Sequence, residues 1–212
     1  MRARIAVIHY SSTGNVHRLA TALAEGAAAA GGEVRLRRAA ELAPPDAIAY
    51  NARWVAHQQW VEGPDGVALA TLDDLAWANG IALGSPTRFG GPAAQLKQFT
   101  DSTGGLWAKG QLADKVVTAF TSASTGHGGL ESTILATLNL AYHWGSLILP
   151  LGYGEADAKA LGNPYGASHV STGGSAPDEA SLAAARAQGA RLVKFATIVA
   201  DGLAAAAAPR PS

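Results

Sequence analysis

The feature that most constrains the fold is a short apolar run near the start of the chain, followed at once by a polar turn and then by an amphipathic pattern. Ile5, Ala6, Val7 and Ile8 are all apolar, which is typical of a strand buried on both faces of a parallel sheet. Beyond Asn15 the apolar residues recur at helical spacing. They are Val16, Leu19, Ala20, Leu23, Ala24 and Ala27. The pattern predicts a strand, a turn and a helix that ends at glycines 31 and 32.

The same alternation repeats along the chain. Further strands are predicted at residues 33–37, 80–84, 115–121 and 146–149. Helices are predicted near 69–76, from Pro92 onward, along a face containing Ile134, Leu138, Ala141 and Tyr142, and from Pro177 onward. The stretches 43–66 and 152–176 are predicted to be long loops, the former functional or part of an interface because of its unusual length. This alternation predicts an α/β fold with a doubly wound, five-stranded parallel sheet and helices on both faces.

The length and the composition favour one ordinary globular domain over residues 1–212. Hydrophobic residues make up 48% of the 212 residues and charged ones only 15%. Sixteen basic residues balance sixteen acidic ones, so no net field attracts nucleic acid. No run approaches about 18 apolar residues, and the start of the chain lacks a signal-peptide pattern, so we expect a cytoplasmic protein without membrane insertion. The alanine-rich tail, residues 204–212, is predicted to be a frayed helix end.

The absence of cysteine restricts the chemistry. It excludes disulfides, thiolate metal sites and thiol nucleophiles, so any redox activity requires a bound cofactor. The motifs of hydrolase elbows and zinc proteases are also missing, and no acidic cluster suggests a divalent metal. We predict no metal site.

The turn after the first strand favours phosphate binding. Ser11, Ser12, Thr13, Gly14 and Asn15 lie where the strand meets its helix. Backbone N–H groups at a helix N-terminus, together with short hydroxyls, suit a phosphate, and Gly14 allows close approach. The turn lacks the lysine of a triphosphate loop and the glycine pattern of a dinucleotide fold, so a monophosphate fits best. The alternative is that Ser11 or Thr13 merely caps the helix.

Two later turns also follow strands, and in an open α/β sheet such turns share one binding crevice. Residues 85–91 combine a proline, glycines, Arg88 and Phe89, which suits a planar polar ring, although Arg88 alone is equally a surface charge. Residues 122–129 offer amides and hydroxyls for the carbonyls and ring nitrogens of a flavin. The alternative for this third turn is a flexible structural loop.

Two isolated residues are further candidates. Trp107 follows Gly104, Gly105 and Leu106, where an indole beside glycines suits stacking on a flat substrate. The alternative is a core or interface aromatic. His143 lies near the end of the helix before the last strand and is as consistent with a structural role as with proton donation.

At these residues the sequence resembles the WrbA-type NAD(P)H:quinone oxidoreductases, which are flavodoxin-like FMN enzymes. The resemblance covers nearly the whole chain. Its most specific stretches are residues 84–90 (GSPTRFG), 103–108 (TGGLWA), 128–131 (GGLE) with Thr133, 150–153 (PLGY) and 164–167 (PYGA).

The resemblance implies a flavodoxin-like strand order 2-1-3-4-5 and a set of ligand contacts. It implies that the FMN phosphate is bound by Ser11, Ser12, Thr13, Gly14, Asn15 and Val16. It implies that the ring system is contacted by Pro86, Thr87, Arg88, Phe89, Gly90, Ser122, Ala123, Ser124, Thr125, Gly126 and His127. His143 would lie near the flavin as a cofactor contact and the candidate catalytic group. Trp107 would line the pocket that nicotinamide and quinone use in turn, across an interface of a homotetramer built as a dimer of dimers.

Three departures from the family pattern concern the substrate more than FMN. Thr13 replaces a tyrosine near the nicotinamide site, Trp144 replaces a second histidine after His143, and residues 123–125 read Ala-Ser-Thr instead of Thr-Gly-Thr. The segment 51–63, with its tryptophans and His57, also differs from the usual loop. It is therefore a candidate for reshaping the pocket or the subunit contact.

The sequence therefore predicts an FMN-dependent NAD(P)H:quinone oxidoreductase that passes a hydride from NADH or NADPH through the flavin to a quinone. One alternative is a flavodoxin-type electron carrier that docks on protein redox partners, which the zero net charge disfavours. The other is a flavin-free regulatory or scaffold homologue, which the phosphate-loop residues disfavour. Neither the physiological quinone nor the preferred nucleotide follows from the sequence.

Overall fold

The fold is built around a sheet whose strands are numbered in chain order. The computed structural model describes residues 2–154 and 156–208. The strands are β1 (Arg4–His9), β2 (Glu33–Arg38), β3 (Gly80–Arg88), β4 (Gly91–Pro92), β5 (Val116–Ala123), β6 (Leu147–Ile148) and β7 (Ser168–Val170). The helices are α1 (Asn15–Ala29), α2 (Pro45–Ala49), α3 (Ala52–Glu62), α4 (Leu72–Trp77), α5 (Ala94–Asp101), α6 (Gly104–Ala108), α7 (Leu130–Trp144), α8 (Ala156–Leu161) and α9 (Glu179–Ala207).

The main path through the sheet is β2-β1-β3-β5-β6, and its strand pairs are all parallel. Two more strands lie off this path. β4 pairs antiparallel with β3, and β7 pairs parallel with β5. The prediction of an α/β fold with a parallel sheet is confirmed, whereas the prediction of five strands is wrong, because the described residues form seven.

The edge beside β5 explains part of this difference. β6 pairs with the start of β5, at Val116 and Val117, and β7 pairs with its end, from Thr121 to Ala123. The predicted strand at residues 146–149 is therefore β6, whereas β7, which pairs with the other end of β5 and follows α8, was not predicted. Residues 152–176, predicted to be a loop, contain that helix, β7 and a 3₁₀ turn at Thr172–Gly174.

Alternating residues of the strands face two helical layers. Ile5 and Val7 of β1 pack in a core with α1 and α9, whereas Ala6 and Ile8 pack in a second core that includes residues of α5 and α7. This alternation explains why the first strand is apolar at every position from Ile5 to Ile8. The sheet is thus covered on both faces, and its binding edge lies at the carboxyl ends of the strands.

Several predicted boundaries are wrong. The segment 43–66 contains α2 and α3 rather than a continuous loop, and β3 runs on to Arg88. Pro92 ends β4 instead of opening a helix. Tyr142 is 74% exposed, so it does not belong to the buried face of α7.

The final helix extends further than the sequence pattern indicated. Residues 204–207 continue α9 and are exposed, whereas residues 209–212 of the predicted frayed tail lie outside the described residues. Within the described ranges, no helix has both the length and the apolarity needed to cross a membrane.

Candidate functional site

A cavity of about 490 Å³ lies at the carboxyl ends of β1, β3 and β5. Its volume falls within the usual range of small-molecule sites. It is lined by residues from all three predicted loops, namely Ser12, Thr13, Asn15, Pro86, Thr87, Arg88, Ser122, Ala123 and Ser124. We call it the loop cavity. The structure therefore brings the three loops together at one site.

The first loop leaves the N-terminus of α1 open to a ligand. Gly14 adopts a left-handed conformation with φ 93°, and no side chain caps the helix. The Gly14 N–H donates to Ser11 Oγ at 3.0 Å, so Ser11 stabilises the turn before the helix. The interpretation in which Ser11 or Thr13 merely caps α1 is wrong. Free amides at the positive end of the helix dipole make this an anion-binding geometry.

The second loop is held by hydroxyl contacts. Thr133 Oγ1 donates to Thr87 Oγ1 at 2.8 Å, and Thr87 Oγ1 in turn donates to the Gly128 carbonyl at 3.3 Å. Arg88 reaches the first loop, because its Nη2 donates to Ser12 Oγ at 3.3 Å. These bonds join the end of β3 to the other two loops. Phe89 is fully exposed and has a φ of 52°, unusual for a residue with a side chain.

The third loop contributes its first half to the cavity. Ser122 and Ala123 belong to the end of β5, and Ser124 follows them. Some predicted FMN contacts in the three loops do not line the loop cavity, namely Ser11, Gly14, Val16, Phe89, Gly90, Thr125, Gly126 and His127. Val16 belongs to the core instead, and the stretch 125–127 is exposed. The ligand roles of these residues stay predictions.

Trp107 and His143 lie together but in a different place. They line a second cavity of about 510 Å³ between α5, α6 and α7, where Trp107 Nε1 donates to the His143 carbonyl at 2.8 Å. This cavity shares no lining residue with the loop cavity. Trp107 is 58% exposed, and His143 is exposed too. Trp144, which replaces the second histidine, is buried in the core.

Five more residues line the loop cavity, namely Asn51, Arg53, Ser171, Gly173 and Gly174. Asn51 and Arg53 belong to the segment 51–63, which the sequence indicated as a candidate for reshaping the pocket, whereas the other three were not assigned to a site. Asn51 is the N-cap of α3, and its side chain accepts from the amides of Arg53 and Trp54. An asparagine before a helical stretch was the available signal, although the long segment around it was assigned to a loop.

Glu41 fixes α3 beside the first loop. Its carboxylate accepts from Tyr10 Oη at 2.9 Å, from Trp54 Nε1 at 2.9 Å and from Gln95 Nε2 at 2.6 Å. Burial alone would raise the pKa of Glu41, but these bonds and the Ala43 amide hold the pKa below its ordinary value. Burial, together with the Glu41 charge, raises the pKa of Tyr10. The carboxylate is therefore a structural anchor that keeps its charge.

Three histidines lie behind the first loop. His9 and His17 contact each other, the rings of His17 and His57 are 5.8 Å apart, and Trp60 packs on both His17 and His57. A Cβ on Gly14 would lie 3.5 Å from His57 Nδ1, so the cluster directly supports the turn. Burial lowers the pKa of each histidine, that of His17 to about 4. In the described residues no group of histidine, aspartate and glutamate is arranged to hold a metal ion.

The site fits a monophosphate bearing a planar ring. The uncapped end of α1 suits the phosphate, and the ends of β3 and β5 offer hydroxyls and amides for the polar edge of a ring. Fold and cavity together define a flavodoxin-like α/β protein with a cavity at the carboxyl edge of its sheet whose geometry suits an anion.

The chain belongs to the NADPH-dependent FMN reductase family, whose pattern it matches over residues 3–158. Similar curated proteins carry the name NAD(P)H dehydrogenase (quinone). The one from Deinococcus radiodurans is 44% identical over 171 residues, covering 80% of this chain and 84% of that protein. The one from Rhizobium rhizogenes is 40% identical over 202 residues, covering 92% and 97%.

Solved structures agree on the fold. A flavodoxin, WrbA-like protein from Agrobacterium tumefaciens matches with a TM-score of 0.66 and 25% identity, covering 92% of this chain and 98% of that one. Oxidised flavodoxin 2 from Bacillus cereus matches with a TM-score of 0.55 and 18% identity, covering 94% and 99%. The flavodoxin-like class predicted from the sequence is therefore confirmed.

Proposed function

We propose that this protein is an FMN-dependent NAD(P)H:quinone oxidoreductase. The observation that carries the proposal is the loop cavity, where an uncapped helix N-terminus and the ends of two strands converge. Family membership and the relatives named NAD(P)H dehydrogenase (quinone) support the same function. NADH or NADPH supplies the hydride, and a quinone accepts two electrons.

The chain's own residues bind FMN and orient its ring. The first loop and the start of α1, residues 11–16, would hold the FMN phosphate, and residues 86–90 with 122–127 would hold the ring. Bound FMN supplies the ability to accept a hydride and to pass its electrons on. The hydroxyl contact between Thr87 and Thr133 fixes the loop at residues 86–90, which lowers the entropic cost of orienting the ring.

The placement of Trp107 and His143 supports an assembly of several copies. In one chain both residues lie in a cavity separate from the loop cavity. We therefore propose that Trp107 reaches the substrate pocket of a neighbouring copy in a homotetramer. The roles of His143 as a flavin contact and as a proton donor to the quinone belong to the same proposal. So does a cytoplasmic location.

The test begins with purified protein. We expect a yellow protein whose visible spectrum shows bound FMN and which oxidises NADH or NADPH with benzoquinone as acceptor. A colourless protein that takes up no added FMN would overturn the cofactor assignment. A yellow protein that is inert to both nucleotides but accepts electrons from a reductase protein would overturn the enzyme assignment and favour an electron carrier.

A matched pair of variants tests the location of the phosphate. Gly14 and Gly31 flank α1, and both have a positive φ, 93° and 88°. Alanine at either position is strained by about 1 kcal/mol or more. Only Gly14→Ala places that strain within the predicted phosphate turn. We expect Gly14→Ala to weaken FMN binding and Gly31→Ala to lower stability without changing FMN affinity.

A further inference from the structure

Arg53 spans one side of the loop cavity. It lies in the first turn of α3, and its Nη1 donates to the carbonyls of Gly174 at 2.7 Å and of Gly173 at 3.4 Å. The guanidinium therefore joins two segments that are about 120 residues apart and that both line the cavity. Its remaining donors form no hydrogen bond within the described residues, so they are available to a ligand.

Packing fixes the position of α3, and hence that of Arg53. Asn51 caps the helix, and the next residue after Arg53, Trp54, donates its indole N–H to Glu41. Near the other end of the helix, the ring of Trp60 lies 4.7 Å from that of His17 in α1. The base of the Arg53 side chain is thus held relative to α1, whose N-terminus is the predicted phosphate site.

The turn that receives Arg53 is adapted to it and is tied to the phosphate site. Gly174 has a φ of 81°, and a Cβ at this position would overlap the Arg53 guanidinium. The next residue, Ser175, accepts a hydrogen bond from Asn15 Nδ2 at 3.0 Å. Asn15 is the first residue of α1. One continuous set of contacts therefore runs from Arg53 through residues 174 and 175 to the N-terminus of that helix.

The charge of the loop cavity favours an anion with two negative charges. Arg53 and Arg88 both line it, whereas no aspartate or glutamate is among its described lining residues. In the described part of the chain Arg88 donates only to the Thr87 carbonyl and to Ser12 Oγ, and Arg53 only to carbonyls. Both cations thus lack a carboxylate partner there. A phosphate monoester, with a charge near −2 at neutral pH, suits such a site.

We propose that Arg53 recognises the phosphate of FMN and sets the selectivity of this protein for FMN over riboflavin. The inference rests on the proposed FMN site. Helix α3 carries the guanidinium to the edge of the anion site, and the turn at residues 173–174 holds it there. The free donors of Arg53 then complement the amides of α1, which provide hydrogen bonds but no full charge.

The experiment compares FMN with riboflavin, which lacks the phosphate. Dissociation constants are measured by quenching of flavin fluorescence for the wild type, Arg53→Gln and Arg2→Gln, at low and at raised salt. Arg2 is a matched control, because it too donates to two carbonyls, those of Gly31 and Gly32, but at the opposite edge of the sheet. The wild type establishes whether either flavin binds.

We expect Arg53→Gln to weaken FMN binding by about 10- to 100-fold, the usual effect of losing a charge-assisted hydrogen bond. Riboflavin binding should change less than about two-fold, because no phosphate contact is lost. The salt dependence of FMN binding should also decrease, since one cation is removed. Arg2→Gln should leave both affinities unchanged.

Other outcomes would overturn the inference. Equal weakening of FMN and riboflavin would mean that Arg53 only positions the turn at residues 173–174. Unchanged binding of both flavins would remove any role in recognition. An unchanged FMN-to-riboflavin ratio with weaker binding of NADPH, but not of NADH, would assign Arg53 to the nucleotide instead. A wild type that binds neither flavin would refute the proposed function itself and this inference with it.

Discussion

Nε2 of His9 lies 3.1 Å from Nδ1 of His17, so the two rings share a hydrogen bond in which one nitrogen donates and the other accepts. Such a pair requires that at least one ring be neutral. Burial lowers the pKa of His9, and the charges that His17 and His57 acquire on protonation lower it further. Burial and then His57 and Arg18 lower the pKa of His17 to about 4. The cluster that supports the predicted phosphate turn is therefore neutral at neutral pH.

The first prediction is that this cluster makes the protein sensitive to acid. The folded pKa of His17 lies below its unfolded value of about 6.5, so the unfolded chain binds more protons between these two values. The stability contribution is fully present above pH about 6.5 and is lost as the pH falls toward 4. We expect His17→Gln to reduce the slope of unfolding free energy against pH in this window by up to about 1.4 kcal/mol per pH unit.

Urea unfolding at several pH values measures this slope. His127→Gln is the matched control, because His127 is exposed on the third loop, outside the cluster. It should keep the wild-type slope. Identical slopes for the wild type and His17→Gln would contradict the assignment of acid sensitivity to the cluster.

The sequence was most informative where the burial of a strand or helix fixes the spacing of its apolar residues. The run at Ile5–Ile8 and the stripe along α1 predict β1 and α1 almost to the residue, because each pattern matches what the sheet buries. The loops that follow β1, β3 and β5 were found for the same reason. In a parallel sheet the carboxyl ends share one edge, so three separate stretches of sequence predict one cavity.

Helix α3 was missed because it has no apolar stripe. Val61 is its one buried residue among those described, and its anchors are a tryptophan N–H on Glu41 and the packing of Trp60 against His17. These contacts join distant parts of the chain, so the local spacing of apolar residues does not predict them. Arg53 was not singled out, although it lies in the segment 51–63 that was expected to reshape the pocket or the subunit contact. Strand β7 was missed for a related reason, since it is only three residues long, whereas β6 lies within the predicted strand at residues 146–149.

The second prediction concerns the contact between α1 and α9. A Cβ on Gly26 would overlap the carbonyl oxygen of Arg186, and a Cβ on Gly189 would overlap that of Leu23. The two helix backbones therefore touch at these glycines. We expect Gly26→Ala or Gly189→Ala to lower the free energy of unfolding by about 1–3 kcal/mol, the usual cost of overpacking.

Denaturant titration measures this loss, and Gly202→Ala is the control within α9. A Cβ on Gly202 has no neighbour within 4 Å, so alanine there should be neutral or stabilise the helix by up to about 1 kcal/mol. Equal effects at Gly189 and Gly202 would show that the glycines serve helix propensity rather than close packing.

The third prediction separates ring positioning from phosphate recognition. Thr133 Oγ1 donates to Thr87 Oγ1, and the same Thr87 oxygen accepts from the Gly90 amide at 3.3 Å. One hydroxyl pair therefore sets the shape of the loop at residues 86–90, which is predicted to contact the ring. Thr133→Val keeps the volume but removes the donor. We expect Thr133→Val to weaken the binding of FMN and of riboflavin by the same factor, about 3- to 10-fold, because a neutral hydrogen bond contributes about 1 kcal/mol. Thr133→Ser retains the hydroxyl and should bind both flavins as the wild type does. Fluorescence titration of the three proteins with each flavin makes the comparison. A loss confined to FMN would place Thr133 with the phosphate rather than the ring, whereas a loss in the serine variant together with wild-type affinity in the valine variant would point to the methyl group instead of the hydroxyl.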